Sequence, residues 1–461
     1  MFLFWWTMAF FENQMNTRLL SVLSSALISS SVFATPTFNH DIAPIIFKNC
    51  TECHRDGEAA PFPLVTYADA KKKSATLAKA VHNRVMPPWK AEPVDFAYRN
   101  DRRLSDSDIA LIEDWVKAGA PEGDASERPT PPTFASGWRL GPPDLILEFP
   151  TAYKIPADGP DIYRNIAMPI PLNEDRWLTA IDMHPSARAV VHHVLYFADP
   201  KAKAHEKQQG DQPGWGGMRP GASLGLGGWA VGGQPSFFPE NLALKIPAAS
   251  DLVVQYHFHP TGKPESEKSQ IGLYFAKDAP KHSMVRIQMP PHYSLFAGLD
   301  IPAGEKDYVL KDSYTLPVAI QAVGISAHAH YIAKKLKMTA TLPDGAVKTL
   351  FLINDWDFAW QDRYYFKDFP KLPAGTRLDA EIHWDNSAEN PHNPSSPPVR
   401  VEWGEATKDE MGSISLIAIP DQETDLAKLR WDIRKREESL VRDKMRTDPQ
   451  LASKVMQLLG E

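Results

Sequence analysis

Residues 105–121, "SDSDIALIEDWVKAGAP", carry Ile109, Ile112, Trp115 and Val116 at helical spacing among charged positions. Ser105 is the expected N-cap, Asp108 three positions on completes a capping-box pattern, and Gly119 followed by Pro121 ends the helix. The same period in Ile42, Ile45 and Ile46 predicts a helix within "NHDIAPIIFKNC". Beyond residue 136 the pattern changes to short apolar runs broken by Pro, Gly, Asn and Asp. Examples are "DLVVQYHFHP", "QIGLYFA", "LKMTATLPDGAVKTLFLI" and "RLDAEIHWDNS". They predict strands, with a hairpin turn at Asp344-Gly345, and together a sandwich-like all-β body. From about Asp421 helical spacing returns in Leu426, Leu429 and Ile433, and Asp448-Pro449 opens a second short helix. This tail is expected to pack on the body, with an oligomer contact as the alternative.

Composition adds two constraints. Proline is about 9% of the 461 residues, well above the usual ~5%, which suits strands and loops. A net charge of −7 gives no support for nucleic-acid binding. From Met15, "MNTRLLSVLSSALISSSVFATP" reads as an export signal, with Arg18 before an apolar core and a cleavage site near Ala34. Met15 is therefore an alternative start, and residues 1–14 fit no signal pattern. The apolar core is too short and serine-rich for a membrane span, so a periplasmic mature chain without a span is expected.

The two cysteines, Cys50 and Cys53, both lie in "CTECH". C-x-x-C-H in an exported chain reads as covalent c-type haem attachment, with His54 placed to ligate the iron. A zinc ribbon would need a second C-x-x-C, and a thioredoxin-like dithiol would need a βαβ setting; neither is present. Residues 36–122 are therefore expected to form a small all-α, cytochrome c-like domain. Met86 in "NRVMPPW" is the favoured sixth ligand and His82 the alternative. A linker rich in Pro, Ser and charge follows at 123–135.

The β-rich part collects histidines. In "ISAHAHYI", His328 and His330 are two apart, so on a strand they share a face and can converge on one metal ion. A hydrogen-bonded pair without metal is the other reading of that spacing. "ARAVVHHVLYF" sets His192 beside His193, and neighbours on a regular strand point to opposite faces, so shared binding there requires a bulge. "LVVQYHFHP" supplies His257 and His259, and "TKDEMGSISL" supplies Met411. The stretch 207–240 contains ten glycines without G-x-x-x-x-G-K-[ST] and reads as a loop, not a phosphate cradle. Trp356, Phe358 and Trp360 alternate and read as a core-facing stripe.

The order of these motifs, from the histidine doublet through H-x-H-P and H-x-H to E-M, resembles the copper type II, ascorbate-dependent monooxygenases, the relatives of dopamine β-monooxygenase and peptidylglycine α-hydroxylating monooxygenase. The stretches "GGWAVGGQPSFFPENLAL", "INDWDFAWQDRYYF" and "LPAGTRLDAEIHWDNS" carry the similarity across roughly 175–417. The resemblance implies two jelly-roll-like β-sandwich subdomains, at 136–280 and 281–420, before the helical tail at 421–461. It implies two copper ions, one on His192, His193 and His257 and an oxygen-activating one on His328, His330 and Met411. His259 is implied to be structural rather than a ligand. The implied activity is hydroxylation of a C–H bond of a small organic or peptide substrate with O2. Imidazole suits copper, iron or zinc, and the thioether narrows the choice towards Cu(I). Unlike the animal enzymes of that family, this chain has no cysteines for disulfides and carries a fused haem motif. The haem is expected to relay electrons from a periplasmic donor or an ascorbate-like reductant. The alternative reading is a non-enzymatic periplasmic electron-transfer or copper-binding protein on the same scaffold.

Overall fold

The computed structural model describes residues 35–453 apart from 59, 135–136, 209, 218–223, 231–232, 234, 240–241 and 450. The export signal expected over residues 1–34 lies outside them. Among the described residues no helix is long and apolar enough to cross a membrane.

Four helices come first: α1 (Ala43–Asn49), α2 (Tyr67–Lys72), α3 (Ser74–His82) and α4 (Asp106–Lys117). Their shared core holds Phe38, Ile42, Ile46, Leu77, Val81, Ile112 and Trp115. The expected cap of α4 is present, with the Asp108 N–H donating to Ser105 Oγ at 3.1 Å. At its other end Gly119 takes a positive φ of 85°, and Trp115 Nε1 donates to the Pro121 carbonyl at 2.9 Å. Between α3 and α4 the segment 89–103 leaves the helices and lies on the β body. Trp89 and Tyr98 enter a β core there, and the Glu92 and Arg99 N–H groups donate to the Leu352 and Tyr365 carbonyls at 2.8 and 2.7 Å.

The body is mostly antiparallel β-sheet, with strands numbered in chain order. One five-stranded sheet runs β6 (Trp215–Gly216), β3 (Ile162–Pro169), β9 (Asp251–Phe258), β5 (Val191–Asp199), β7 (Leu224–Ala230). It shares a core with the sheet β1 (Leu145–Glu148), β11 (Gln270–Phe275), β4 (Arg176–His184), β8 (Leu244–Ile246). A small ribbon pairs β2 (Tyr153–Ile155) with β10 (Glu265–Glu267). Along β9, Leu252, Val254, Tyr256 and Phe258 point into this core, so His257 faces outward.

The later strands form a second pair of sheets. One runs β12 (Val285–Met289), β22 (Gly412–Pro420), β15 (Ile320–Ala329), β18 (Arg363–Tyr365), with β19 (Lys371–Leu372) also on β15. Facing it is β14 (Tyr308–Thr315), β20 (Arg377–Trp384), β16 (Ala333–Thr341), β17 (Val347–Ile353). The pair β13 (Asp300–Ile301) and β21 (Val401–Glu402) stands apart. The turn at Asp344-Gly345 joins β16 to β17, with Gly345 at φ 88°. The tail holds a 22-residue helix, α5 (Leu426–Thr447), with Leu429 fully buried and Leu426 and Ile433 against the same core. Beyond Asp448, whose Oδ1 accepts from the Leu451 N–H at 2.9 Å, the described residues 449 and 451–453 are helical again, as expected.

The glycine-rich stretch departs from expectation. Part of it is strand: β7 pairs with β5 from Ala230 opposite His193 to Leu224 opposite Ala198. A Cβ at Gly228 would come within 2.6 Å of the Val194 carbonyl oxygen, so the glycine permits a close strand approach.

Candidate metal centres

The doublet on β5 meets its geometric requirement. Val191 pairs with Phe258 and His193 with His257, so the register slips at His192. A bulge leaves one residue extra on one strand and re-aims its side chain. Here it lets both rings of the doublet turn to the outer face that carries His257. The Nδ1 atoms of His192 and His193 are 3.1 Å apart, those of His192 and His257 3.2 Å, and those of His257 and His193 3.3 Å. The point equidistant from three atoms so spaced lies about 1.9 Å from each, close to the ~2.0–2.1 Å of a metal–imidazole bond.

Asp161 fixes the orientation of this cluster. Its Oδ2 accepts from His257 Nε2 at 2.7 Å and its Oδ1 from His259 Nδ1 at 2.8 Å. With the His257 proton on Nε2, the Nδ1 lone pair is left facing the doublet, the carboxylate–histidine arrangement typical behind a metal. Hydrogen bonding from His257 and His259 lowers the Asp161 carboxyl to about 2. The His259 ring is largely exposed, outside the triangle. Tyr163 stacks on His257 with ring centroids 4.5 Å apart. Removal from water lowers His192 to about 4 and His193 well below the ordinary range, so both are neutral at pH 7.

The second histidine pair stands at the end of β15, His328 within the strand and His330 one residue past it, on the outer face of the other sandwich. The His328 and His330 ring centroids are 5.4 Å apart with perpendicular planes. His328 Nδ1 donates to Gln361 Oε1 at 2.6 Å, and the Gln361 amide nitrogen donates to the Phe358 carbonyl at 3.0 Å. His330 Nδ1 donates to the Asp409 carbonyl at 2.9 Å. Both Nδ1 protons are thus engaged, which leaves both Nε2 lone pairs for another partner. Burial lowers His328 and takes His330 down to about 3.

Met411 lies one residue before β22, where His328 pairs with Ser413 and Ala329 with Gly412. Strand alternation puts Met411 on the face of Ser413 and His328. Glu410 ties the two segments together. Its Oε2 accepts from the N–H groups of His330 at 3.0 Å and Met411 at 3.2 Å and from Trp384 Nε1 at 3.0 Å, and its Oε1 accepts from Ile332 N–H at 2.9 Å. Burial raises this carboxyl to about 8 against the four donors. A Cβ at Gly412 would lie 2.6 Å from the Trp384 ring, so glycine there lets the indole reach Glu410.

Phe358 joins the two groups. Its ring centroid lies 6.1, 6.3 and 6.3 Å from those of His192, His193 and His257, and 5.7 Å from that of His330. The expected aromatic stripe does not form, because residues 354–362 are a loop rather than a strand. Trp356 enters the core and its Nε1 donates to the His330 carbonyl at 3.0 Å; Phe358 faces the histidines; Trp360 lies against Arg102.

On the helical unit, His54 Nδ1 donates to the Phe62 carbonyl at 3.0 Å, again leaving Nε2 free to ligate. Burial lowers His54 and pushes the Cys50 thiol up to about 12. Cys53 lies one turn on, its N–H donating to the Cys50 carbonyl at 3.2 Å. Met86 follows α3 and is 38% exposed. His82, in the last turn of α3, is held by Glu113 at 2.7 Å.

Asp161, Gln361 and Glu410 are absent from the sequence-derived set, and Phe358 enters it only as part of a core-facing stripe. Signals exist only in hindsight of position: Glu410 precedes Met411, and Phe358 and Gln361 lie in one aromatic stretch.

No family model matches the chain. DBH-like monooxygenase protein 1 of Gallus gallus is 23% identical over 209 residues, 42% of this chain and 32% of its own. The Homo sapiens protein of that name is 22% identical over 173 residues, 34% of this chain and 28% of its own. The match thus spans less than a third of either relative's length. The similarity is weak and partial, and it is to proteins named as monooxygenases. Among solved structures, infectious bursal disease virus Gx strain overlaps 61% of this chain and 75% of that chain at 9% identity and TM-score 0.19, too low to bear on fold or function.

Proposed function

We propose that the chain is an exported, copper-dependent monooxygenase that hydroxylates a C–H bond of a small organic or peptide substrate with O2. The observation that carries this reading is the convergence of three Nδ1 atoms at metal-binding separation, facing a second imidazole pair across Phe358. His192, His193 and His257 would hold one copper, and His328, His330 and Met411 the other. When bound, copper supplies oxygen activation at the thioether-containing set and one-electron storage at the all-histidine set.

The chain's own groups prepare both sets. Asp161 aims the His257 lone pair; Gln361 and the Asp409 carbonyl do the same for His328 and His330. Neutral, buried imidazoles need shed no proton to bind metal at pH 7. Phe358, whose ring lies 4.6 Å from that of Tyr331, packs against imidazoles of both sets.

A haem c would be attached through Cys50 and Cys53 with His54 as its axial ligand, and would pass single electrons from a periplasmic donor or an ascorbate-like reductant. The engagement of His82 with Glu113 favours Met86 as sixth ligand. The test is oxygen consumption and product analysis under ¹⁸O2 with candidate C–H substrates. Copper- and reductant-dependent transfer of one labelled oxygen atom to product supports the reading. Substrate oxidation without label, or activity unaffected by copper removal, refutes it.

A further inference from the structure

Outside the two histidine sets, a charged cluster in contact with the C-x-x-C-H motif centres on Glu58. Its Oε1 accepts from Arg55 Nη2 at 3.0 Å, and its Oε2 accepts from Arg139 Nη2 at 2.6 Å and Arg188 Nη1 at 2.7 Å. Arg139 Nη1 also reaches Glu52, between the two cysteines, at 2.9 Å. Arg188 Nη1 donates to the Gly57 carbonyl at 3.3 Å. Glu58 and Arg55 keep only 14% and 13% of their side-chain surface exposed, so these contacts are little screened by water. Arg55 in turn lies over the Phe134 ring at 3.8 Å.

Arg188 belongs to the connection that crosses from β4 in one sheet to β5 in the other, four residues before His192. That connection is firmly held. The buried Glu267 carboxylate accepts from the Ala187 N–H at 2.6 Å and the Ser186 N–H at 3.2 Å, and the His259 N–H donates to the Val190 carbonyl at 2.8 Å. A rigid path of main chain therefore runs from the guanidinium on Glu58 to the bulge that carries the doublet. The segment 89–103 instead approaches the second sandwich, through Trp89 and Tyr98 in its core, main-chain hydrogen bonds at Glu92 and Arg99 and ion pairs from Lys90 and Arg102, and without the C-x-x-C-H residues.

We propose that Glu58 is the latch that docks the C-x-x-C-H loop on the β4–β5 connection, so that electrons from the helical unit enter the β body at His192, His193 and His257. This rests on the haem and copper reading above. In the transfer so placed, ferrous haem loses one electron and becomes ferric, a cupric ion on the three rings gains it and becomes cuprous, and an external one-electron reductant restores the haem. Glu58 is a positioning residue, and it touches neither metal.

The test uses the full chain matured with haem, with Glu58→Gln and Arg188→Gln, the second variant approaching the latch from the β side should the first fail to fold. Deuterium uptake at 50–58 and 186–190 is read in copper-free protein, and reoxidation of ferrous haem is followed after loading with cupric ion. Both variants are expected to raise uptake at both segments and slow haem reoxidation about tenfold, the order of effect of losing one charge-assisted contact. Their haem spectrum and copper content should match wild type. Reoxidation at the wild-type rate in either folded variant overturns the inference, as does slowing without increased uptake. A wild-type chain that binds no haem or no copper overturns the functional reading itself, and this inference with it.

Discussion

Gln361 Oε1 accepts the Nδ1 proton of His328 at 2.6 Å, while the Gln361 amide nitrogen is anchored on the Phe358 carbonyl at 3.0 Å. The loop that places an aromatic ring between the two histidine sets thus also decides which nitrogen of His328 faces outward. Replacing Gln361 by Ala releases the tautomer and the ring orientation. The expected result is a loss of about 10- to 100-fold in copper affinity at the His328 set, read by competition with a chelator. Affinity at the three-histidine set should stay at its wild-type value.

Glu410 presents two carboxylate oxygens to four N–H donors. Glu410→Gln turns an NH2 group against donors already in place. Burying such a mismatch costs about 1–3 kcal/mol, so the melting temperature should fall by several degrees. Because the carboxylate aligns the His330 and Met411 main chain, copper binding at that set should weaken as well. A variant with unchanged melting and binding would remove Glu410 from the support of the site.

Acid should destabilise the metal-free protein early. His192 sits near 4 in the folded chain, depressed by burial, and His330 near 3, against about 6.5 for a free imidazole. Between those values the unfolded chain binds protons that the folded chain refuses, so stability is complete above pH 6.5 and falls as pH drops towards 4. Thermal melts of metal-free protein from pH 7.5 to 5 check this. His192→Phe and His330→Phe should each flatten the decline.

Phe358 is only 6% exposed, and its ring neighbours are four imidazoles and Tyr331. Phe358→Ala should cost about 3 kcal/mol, the lower end for a buried phenylalanine. It should also admit water between the two sets, seen as faster solvent-proton relaxation in the copper(II)-loaded protein. Phe358→Leu should restore most of the stability.

Much of this site is legible in local pattern. Two-residue spacing is enough to put His328 and His330 on one face, and an adjacent doublet signals that a bulge is needed; the slip at His192 supplies it. Met411 is different. Its place beside His330 depends on β22 pairing with β15 across some eighty residues, which no local period encodes, and only the resemblance in motif order singles it out. Asp161 and Gln361 are polar residues in connections, where tertiary packing sets direction. Alternation in "DWDFAW" suggests a strand, yet the Asp355 and Asp357 carboxylates turn out to Lys90 at 3.0 and 3.8 Å and the segment stays a loop. The glycine-rich stretch shows the opposite override, since β7 forms there because β5 offers it a partner.

The most direct measurement is the copper and haem content of the full chain, exported in a host that matures c-type cytochromes, beside His192→Ala and His328→Ala. The account predicts two coppers per haem in wild type, and one copper lost in each variant with the haem retained. One copper or none in wild type, or a variant that keeps both, would contradict it.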